Sequence, residues 1–336
     1  MRDFAYALAE RVEDAFAANG GDVFAIAGGT ELLNWMRLGI AAPATLVDIG
    51  RLDSLRTIRR TGDMLEIGAL ATLNEVGQHA AVREHARALS QACLAAASPQ
   101  IRNRATIGGN LLQKTRCAYF RAEAPLPWGC NKREPGSGCA ARDGLNERHA
   151  IFGWTDQCVA TMPSDPAVAL AALDAEVELH GPGSIRRLPV RDLHLCQEEA
   201  AALAGDRADA AATVETRLTP GEIIVRYLVP VTSARSAYVK VRERASYEYA
   251  LVSAAVTIAV EGNRIARASI MLGSVAQKPW PLSTETIIGL PPERAALLPA
   301  LRQCLADARP LEHNRYKVAM AAGAAMRALV EAGDLA

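Results

Sequence analysis

Apolar and polar positions alternate differently in the three parts of this chain. Residues 1–21 (MRDFAYALAERVEDAFAANGG) thread acids through apolar positions, which predicts an amphipathic helix and not a signal peptide. Residues 22–27 (DVFAIA) form a short apolar run of strand length. Gly28-Gly29-Thr30 makes a turn, and residues 31–38 (ELLNWMRL) carry helical spacing. Residues 44–49 (ATLVDI) predict the next strand, so the unit is β-α-β with a very short crossover helix.

The middle of the chain begins with a strand pair, residues 55–58 and 64–67, turning at Gly62-Asp63. Residues 73–79 and the alanine-rich 82–97 predict helices. The second stops at Ser98-Pro99, because a residue before proline is pushed out of the helical region. A second glycine pair follows within residues 101–112 (IRNRATIGGNLL). Residues 164–173 (SDPAVALAAL) open with Ser and Asp before Pro, a helix-start signal. Residues 175–180 and 186–190 predict a hairpin around Gly181-Pro182-Gly183, and 222–229 (EIIVRYLV) a strand between Pro220 and Pro230. In the last third, residues 237–243, 253–261 and 264–272 predict strands, with Gly262-Asn263 as a tight hairpin turn. Helices follow from Pro292. Strands and then helices indicate an α+β unit with an antiparallel sheet.

A length of 336 residues accommodates two or three domains. Half the residues are apolar and 22% are charged, as in ordinary globular proteins. No run approaches the roughly 20 apolar residues of a membrane span. The formal net charge is zero and no basic run interleaves with aromatics. Nucleic-acid binding therefore has no electrostatic footprint here.

Two segments suggest a ligand. In AGGTELL, residues 27–33, a strand feeds two glycines, a threonine and a helix. Such glycines allow close backbone approach, and exposed N–H groups favour a phosphate. Neither GxGxxG nor GxxxxGK[ST] spacing is present, and a plain turn with Thr30 as N-cap fits equally. ATIGGNLL, residues 105–112, adds a second glycine pair with Thr106 and Asn110 as hydrogen-bonding side chains. Two such loops suggest a long bipartite ligand such as a dinucleotide. Asp165 reads as a helix cap with an oxygen to spare for a sugar hydroxyl. Lys240, Arg242 and Arg244 alternate on one strand face, either solvated or directed at an anionic ligand.

Four of the seven cysteines, Cys117, Cys130, Cys139 and Cys158, gather in one glycine-, proline- and charge-rich segment. No pair is CxxC, so neither a zinc ribbon nor a bacterial ferredoxin run is present. Spacing leaves open a [4Fe–4S] cluster, a zinc site, free thiols and disulfides. A structureless insertion of this length is uncommon unless functional. Lys132, Arg133 and Arg116 are placed to offset the charge of thiolates. His149 reads as a hydrogen-bonding loop histidine or a ligand. Cys93, Cys196 and Cys304 read as small buried hydrophobes.

The order AGGTELL, ATIGGN, PSDPAVALAALDA and YVKVRERASYEYALVSAA resembles the FAD-binding subunit of the molybdenum hydroxylases. That family includes xanthine dehydrogenase, carbon monoxide dehydrogenase and aldehyde oxidoreductases. The cysteine segment, with RCAYF, CNKREPGSGCAA and QCVAT, looks like the flavoprotein subunit of bacterial periplasmic-type aldehyde oxidoreductases. In those subunits, and in 4-hydroxybenzoyl-CoA reductase, an insertion binds a [4Fe–4S] cluster. The resemblance implies an α+β and α/β chain with a PCMH-type FAD-binding fold. Its two N-terminal α/β subdomains would be residues 1–55 and 56–230, with the cluster insertion at about 114–160, and its C-terminal sheet-and-helices domain residues 231–336. It implies that Ile26, Ala27, Gly28, Gly29, Thr30, Glu31, Leu32, Leu33 and Asn34 wrap the FAD pyrophosphate. Thr106, Gly108, Gly109 and Asn110 would hold its other side, and Asp165 its sugar or ribityl hydroxyls. Ile224 and Lys240 would lie near the flavin, and Cys117, Cys130, Cys139 and Cys158 would ligate the cluster.

The function implied is an electron-transfer subunit of an aldehyde oxidoreductase. A molybdenum-cofactor large subunit and a [2Fe–2S] small subunit would be its partners, with an external electron acceptor. A lysine that xanthine dehydrogenases place near the flavin is Leu251 here, so nothing is implied about NAD. A coenzyme A thioester reductase subunit and a zinc-stabilised nucleotide-binding module are the alternatives. The expected location is cytoplasmic assembly, with export of the folded complex if a partner carries the signal.

Overall fold

The computed structural model describes residues 2–17 and 21–333. Its first sheet has the order β1-β3-β2, with β1 (Ala5–Leu8), β2 (Val23–Ile26) and β3 (Thr45–Asp48) all parallel. Helix α1 (Leu32–Arg37) is the short crossover that the pattern predicts. The amphipathic helix expected over residues 1–21 is absent from the described residues, and residues 1 and 18–20 lie outside them. Instead β1 is an exposed edge strand and Val12–Ala17 a 3₁₀ helix. The cause is tertiary. β1 pairs with β3, and the Tyr6 hydroxyl donates to Asp48. Local spacing holds no trace of a partner so far along the chain.

The second sheet is antiparallel throughout, in the order β4-β5-β8-β6-β7. It comprises β4 (Ile58–Thr61), β5 (Met64–Gly68), β6 (Glu176–Gly181), β7 (Ser184–Pro189) and β8 (Ile223–Pro230). The strand expected at residues 55–58 therefore begins where it was expected to end, since Asp53–Leu55 is a turn of 3₁₀ helix. Over the sheet pack α2 (Leu73–Gln78), α3 (Ala80–His85) and α4 (Arg87–Ala95). Thr72 and Glu75 form a capping box at α2. The single helix expected over 82–97 is two, broken at Ala86, whose φ of −139° is not helical. Next come α5 (Ile107–Leu111) and α6 (Asp165–Ala172).

The third sheet is antiparallel, in the order β12-β11-β10-β9. Its strands are β9 (Arg235–Val241), β10 (Val252–Glu261), β11 (Arg264–Gly273) and β12 (Trp280–Pro281). Gly262 and Asn263 both have positive φ, as a two-residue type I′ hairpin turn requires. On β10, Val252, Ala254, Val256 and Ile258 enter the core shared with α7 (Arg294–Gln303) and α8 (Tyr316–Gly333). Ala255, on the opposite face, joins the core of the second sheet and α6. All eight residues of α6 are buried, because it lies between α4 and strands β10 and β11. This explains why its sequence is apolar all round. Among the described residues, no helix is long and apolar enough to cross a membrane.

The cysteine segment has little regular structure but is anchored on both sides. Arg133 donates to the carbonyls of Gly39, Phe120 and Ala122. Ile151 N donates to Val275 O at 2.8 Å, and Arg309 N to Ile151 O at 2.8 Å.

Candidate functional site

The two glycine segments meet. A Cβ on Gly28 would stand 1.9 Å from the Arg104 carbonyl oxygen, so the first loop lies directly on the backbone leading into the second. Gly29 has φ +72°, a left-handed conformation suited to glycine. Thr106 caps α5 by accepting from Gly109 N at 3.2 Å. Ser164 accepts from Ala167 N and donates to Asn110 Oδ1 at 2.7 Å, tying α6 to the second loop.

Between these loops lies a cavity of about 480 Å³. Ile26 to Leu32, Asn34, Thr106, Gly108, Gly109, Asn110, Asp165 and Ile224 all line it. Two expected residues do not. Leu33 is 40% exposed, because α1 buries Leu32 and Met36 and turns its neighbour outward. Lys240 lies behind the wall, its Nζ 2.7 Å from Asp165 Oδ2. Thr30 is not the helix cap: α1 starts after Glu31 with no side-chain cap.

Asp165 is not the cap of α6 either, since Ser164 fills that role. Its carboxylate accepts from the Tyr238 hydroxyl through one oxygen and from Lys240 through the other. Each oxygen keeps a lone pair for a ligand. Burial and the Asp165 charge push the Tyr238 hydroxyl well above its usual range. Lys240 on β9 and Arg242 just beyond its end both donate to the Ala95 carbonyl at the C-terminal end of α4, at 3.2 and 2.8 Å. Arg244 instead donates to Tyr247 O.

Some wall residues were not legible in sequence. Arg116 stacks over the Tyr249 ring, 4.4 Å from its centroid, and donates to Glu31 Oε2 at 2.6 Å. The other Glu31 oxygen accepts from Arg121 and from Trp35 Nε1. At the rim, Tyr247 N donates to Ala97 O at 3.2 Å, and both residues hold positive φ, +55° and +46°. Non-glycine residues adopt this conformation at a cost, and such strain clusters at ligand sites. The aromatic pair in SYEYA was a visible signal; its position over Arg116 was not.

Cys117, Cys130, Cys139 and Cys158 line one small cavity, and none forms a disulfide. Backbone amides surround the sulfurs: Tyr119 and Phe120 at Cys117, Lys132 and Arg133 at Cys130, Arg142 and Val159 at Cys139, Ala160 at Cys158. Among the described residues, no three His, Cys, Asp or Glu side chains converge as ligands of one metal ion. Burial pushes the Cys117 thiol up to about 12. A hydrogen bond from Cys158 lowers Cys139 to about 7, and that contact and burial raise Cys158.

Lys132 alone of the three expected cations remains beside these sulfurs, donating to Glu215 Oε1 at 2.8 Å. Lys114 reaches the other Glu215 oxygen at 2.5 Å. Against the cost of burial, Lys132 and Lys114 hold the Glu215 carboxyl at about 2, so the triad carries one net positive charge. Arg133 and Arg116 instead bind carbonyls and Glu31, which fastens the segment to residues on either side of α1.

Residues 2–232 match the family described as the FAD binding domain in molybdopterin dehydrogenase. Residues 237–332 match the CO dehydrogenase flavoprotein C-terminal domain. The chain belongs to this family, the FAD-binding medium subunits of the molybdenum hydroxylases, and is an oxidoreductase subunit that binds FAD. It is 40% identical over 311 residues to the aldehyde oxidoreductase FAD-binding subunit of Escherichia coli K12, covering 91% of this chain and 90% of that protein. It is 27% identical to the carbon monoxide dehydrogenase medium chain of Hydrogenophaga pseudoflava, covering 92% and 89% of the two chains. A solved structure of the latter organism's carbon monoxide dehydrogenase, lacking the Mo-pyranopterin moiety, superposes with a TM-score of 0.73 at 26% identity, covering 99% and 97%. The expected α/β fold with a C-terminal antiparallel sheet is therefore the fold observed.

Proposed function

We propose that this chain is the electron-transfer flavoprotein subunit of a molybdenum-dependent aldehyde oxidoreductase, carrying FAD and a [4Fe–4S] cluster. A molybdenum-cofactor large subunit and a [2Fe–2S] small subunit are its partners, and an external acceptor takes its electrons. The observation that carries the reading is the cavity between the two glycine segments, closed by the Gly28–Arg104 contact. The likeness to the aldehyde oxidoreductase subunit supports the aldehyde.

The residues present fit FAD. Backbone without side chains at Gly28 and Gly29 faces the cavity, and the buried Nε of Arg116 has no partner there. In this reading Ile26 to Asn34, without Leu33, wrap its pyrophosphate, and Thr106, Gly108, Gly109 and Asn110 hold its other side. Asp165 accepts from a ligand hydroxyl, with Lys240 and Tyr238 fixing its carboxylate. The wall at Ile224 and Tyr249 keeps water from the ring. FAD supplies two-electron chemistry and the cluster one-electron chemistry; this chain's residues hold and insulate them.

The four sulfurs fit a cluster by their donor chemistry. Amides directed at every sulfur are what bound sulfide and thiolate charge require, and the Lys114–Glu215–Lys132 triad adds a positive charge beside them through Lys132. Domain limits at 1–55, 56–230 and 231–336 belong to the same reading. So does cytoplasmic assembly, with export through a partner's signal.

The test is anaerobic addition of an aldehyde to the chain assembled with its partners. The flavin absorbance should bleach as it does with dithionite. Bleaching by dithionite but by no aldehyde would sink the aldehyde assignment.

A further inference from the structure

His149 Nε2 lies 3.2 Å from the Sγ of Cys117, one of the residues that line the cysteine cavity. The ring is buried, and Nδ1 has no hydrogen-bond partner. Its backbone is clamped from the C-terminal helical unit: Lys317 Nζ donates to His149 O at 2.8 Å and Asn314 Nδ2 at 3.2 Å. Lys317 also donates to Ser274 O at 2.5 Å, and His149 N to Asn146 O. So a fully buried lysine in the first turn of α8 fixes the loop that aims this imidazole.

We propose that His149 is a positioning residue that donates an Nε2–H hydrogen bond to the Cys117 sulfur and raises the reduction potential of the cluster held there. The inference rests on the cluster reading given above. A ligating thiolate carries no proton and can only accept, so the shared proton resides on Nε2. Nδ1 is then an unprotonated acceptor, which is how a buried nitrogen without a partner is tolerated best. The other tautomer would bury an unpaired N–H and set a lone pair against the sulfur. Four thiols already supply the corners of a [4Fe–4S] cluster, leaving His149 no iron to bind. Hydrogen bonds to ligand sulfur draw charge from the cluster and favour its reduced form.

The experiment uses the full chain purified anaerobically. Iron and sulfide are quantified, and the EPR signal of the reduced cluster is titrated against potential. Roughly four irons per chain establish the cluster reading; a wild-type chain without iron removes both proposals. With iron present, His149→Leu keeps its iron and its midpoint potential falls. His149→Gln, with an amide N–H near the same place, recovers toward wild type. An unchanged midpoint in His149→Leu overturns the role of His149 and leaves the cluster reading intact.

A second measurement reads the hydrogen bond directly. Pulsed EPR of the reduced cluster in ¹⁵N-histidine-labelled chain should show a weak coupling of hydrogen-bond size, lost in His149→Gln. No coupling, or one as large as a direct iron ligand gives, overturns the proposal.

Discussion

Lys240 Nζ and Asp165 Oδ2 stand 2.7 Å apart with both side chains out of solvent, and the pair joins the C-terminal sheet to the helix that borders the FAD cavity. The strand contributes the cation, the helix N-terminus the anion, and Tyr238 the second hydrogen bond to the same carboxylate. The pair thus couples the packing of two structural units to the shape of one site.

Removing one partner leaves a buried charge alone. Lys240→Met should cost about 3–5 kcal/mol in denaturant unfolding, as for other broken buried pairs. It should also lower FAD retention, although Lys240 does not line the cavity. A double-mutant cycle with Asp165→Asn should show strong non-additivity. Additive losses would mean that the two groups act separately.

Gly28→Ala places a methyl 1.9 Å from a backbone oxygen, an overlap no rotamer relieves. The loops must separate, so stability should fall by about 3 kcal/mol and FAD should be lost on gel filtration. Gly262→Ala is a comparison for glycine loss alone, since nothing stands within 4 Å of its Cβ. It should retain FAD.

Ala97 has φ +46° at the cavity rim. Ala97→Gly should therefore leave thermal stability unchanged or raise it, within about 1 kcal/mol. Ala92→Gly, inside α4, should instead lower it by about 1 kcal/mol or more. Equal losses at both positions would contradict the strained rim.

Acid should act on Glu222. Its hydrogen bonds from Arg186 lower its carboxyl to about 2, below the ordinary 4.5. A depressed folded value stabilises above about pH 4.5, and that stabilisation is lost as pH falls toward 2. Because Arg186 is partly exposed, the contribution is discounted to about 1–2 kcal/mol. Urea unfolding should show Glu222→Gln less stable by that amount near neutrality, with the gap narrowing below pH 4.5. A constant gap would assign it to packing.

Much of this was legible because the relevant physics is local. The period-2 strands at 252–261 and 264–273, their glycine–asparagine turn and the Pro-marked start of α6 all follow from neighbouring residues. Both glycine segments were also visible, but not the reason for Gly28, which is Arg104 some seventy residues on. The edge strand at 5–8 was read as helix because its partner, β3, lies some forty residues along the chain. Tyr249 and Ala97 escaped notice, and Arg116 was read as a cation for the cysteines and not as a cavity wall, because their shared position depends on how three separate loops pack. The convergence of four loosely spaced cysteines was expected, and of the three cations expected beside them Lys132 alone is there. Arg133 looked identical to Lys132 in sequence and differs only in what lies within its reach.

The most direct measurement is FAD and metal content per chain in anaerobically purified protein, for wild type, Cys130→Ser and Cys93→Ser. Wild type and Cys93→Ser should each hold about one FAD and roughly four irons, with iron lost in Cys130→Ser. Zinc without flavin, or full iron in Cys130→Ser, would contradict the flavin and cluster reading.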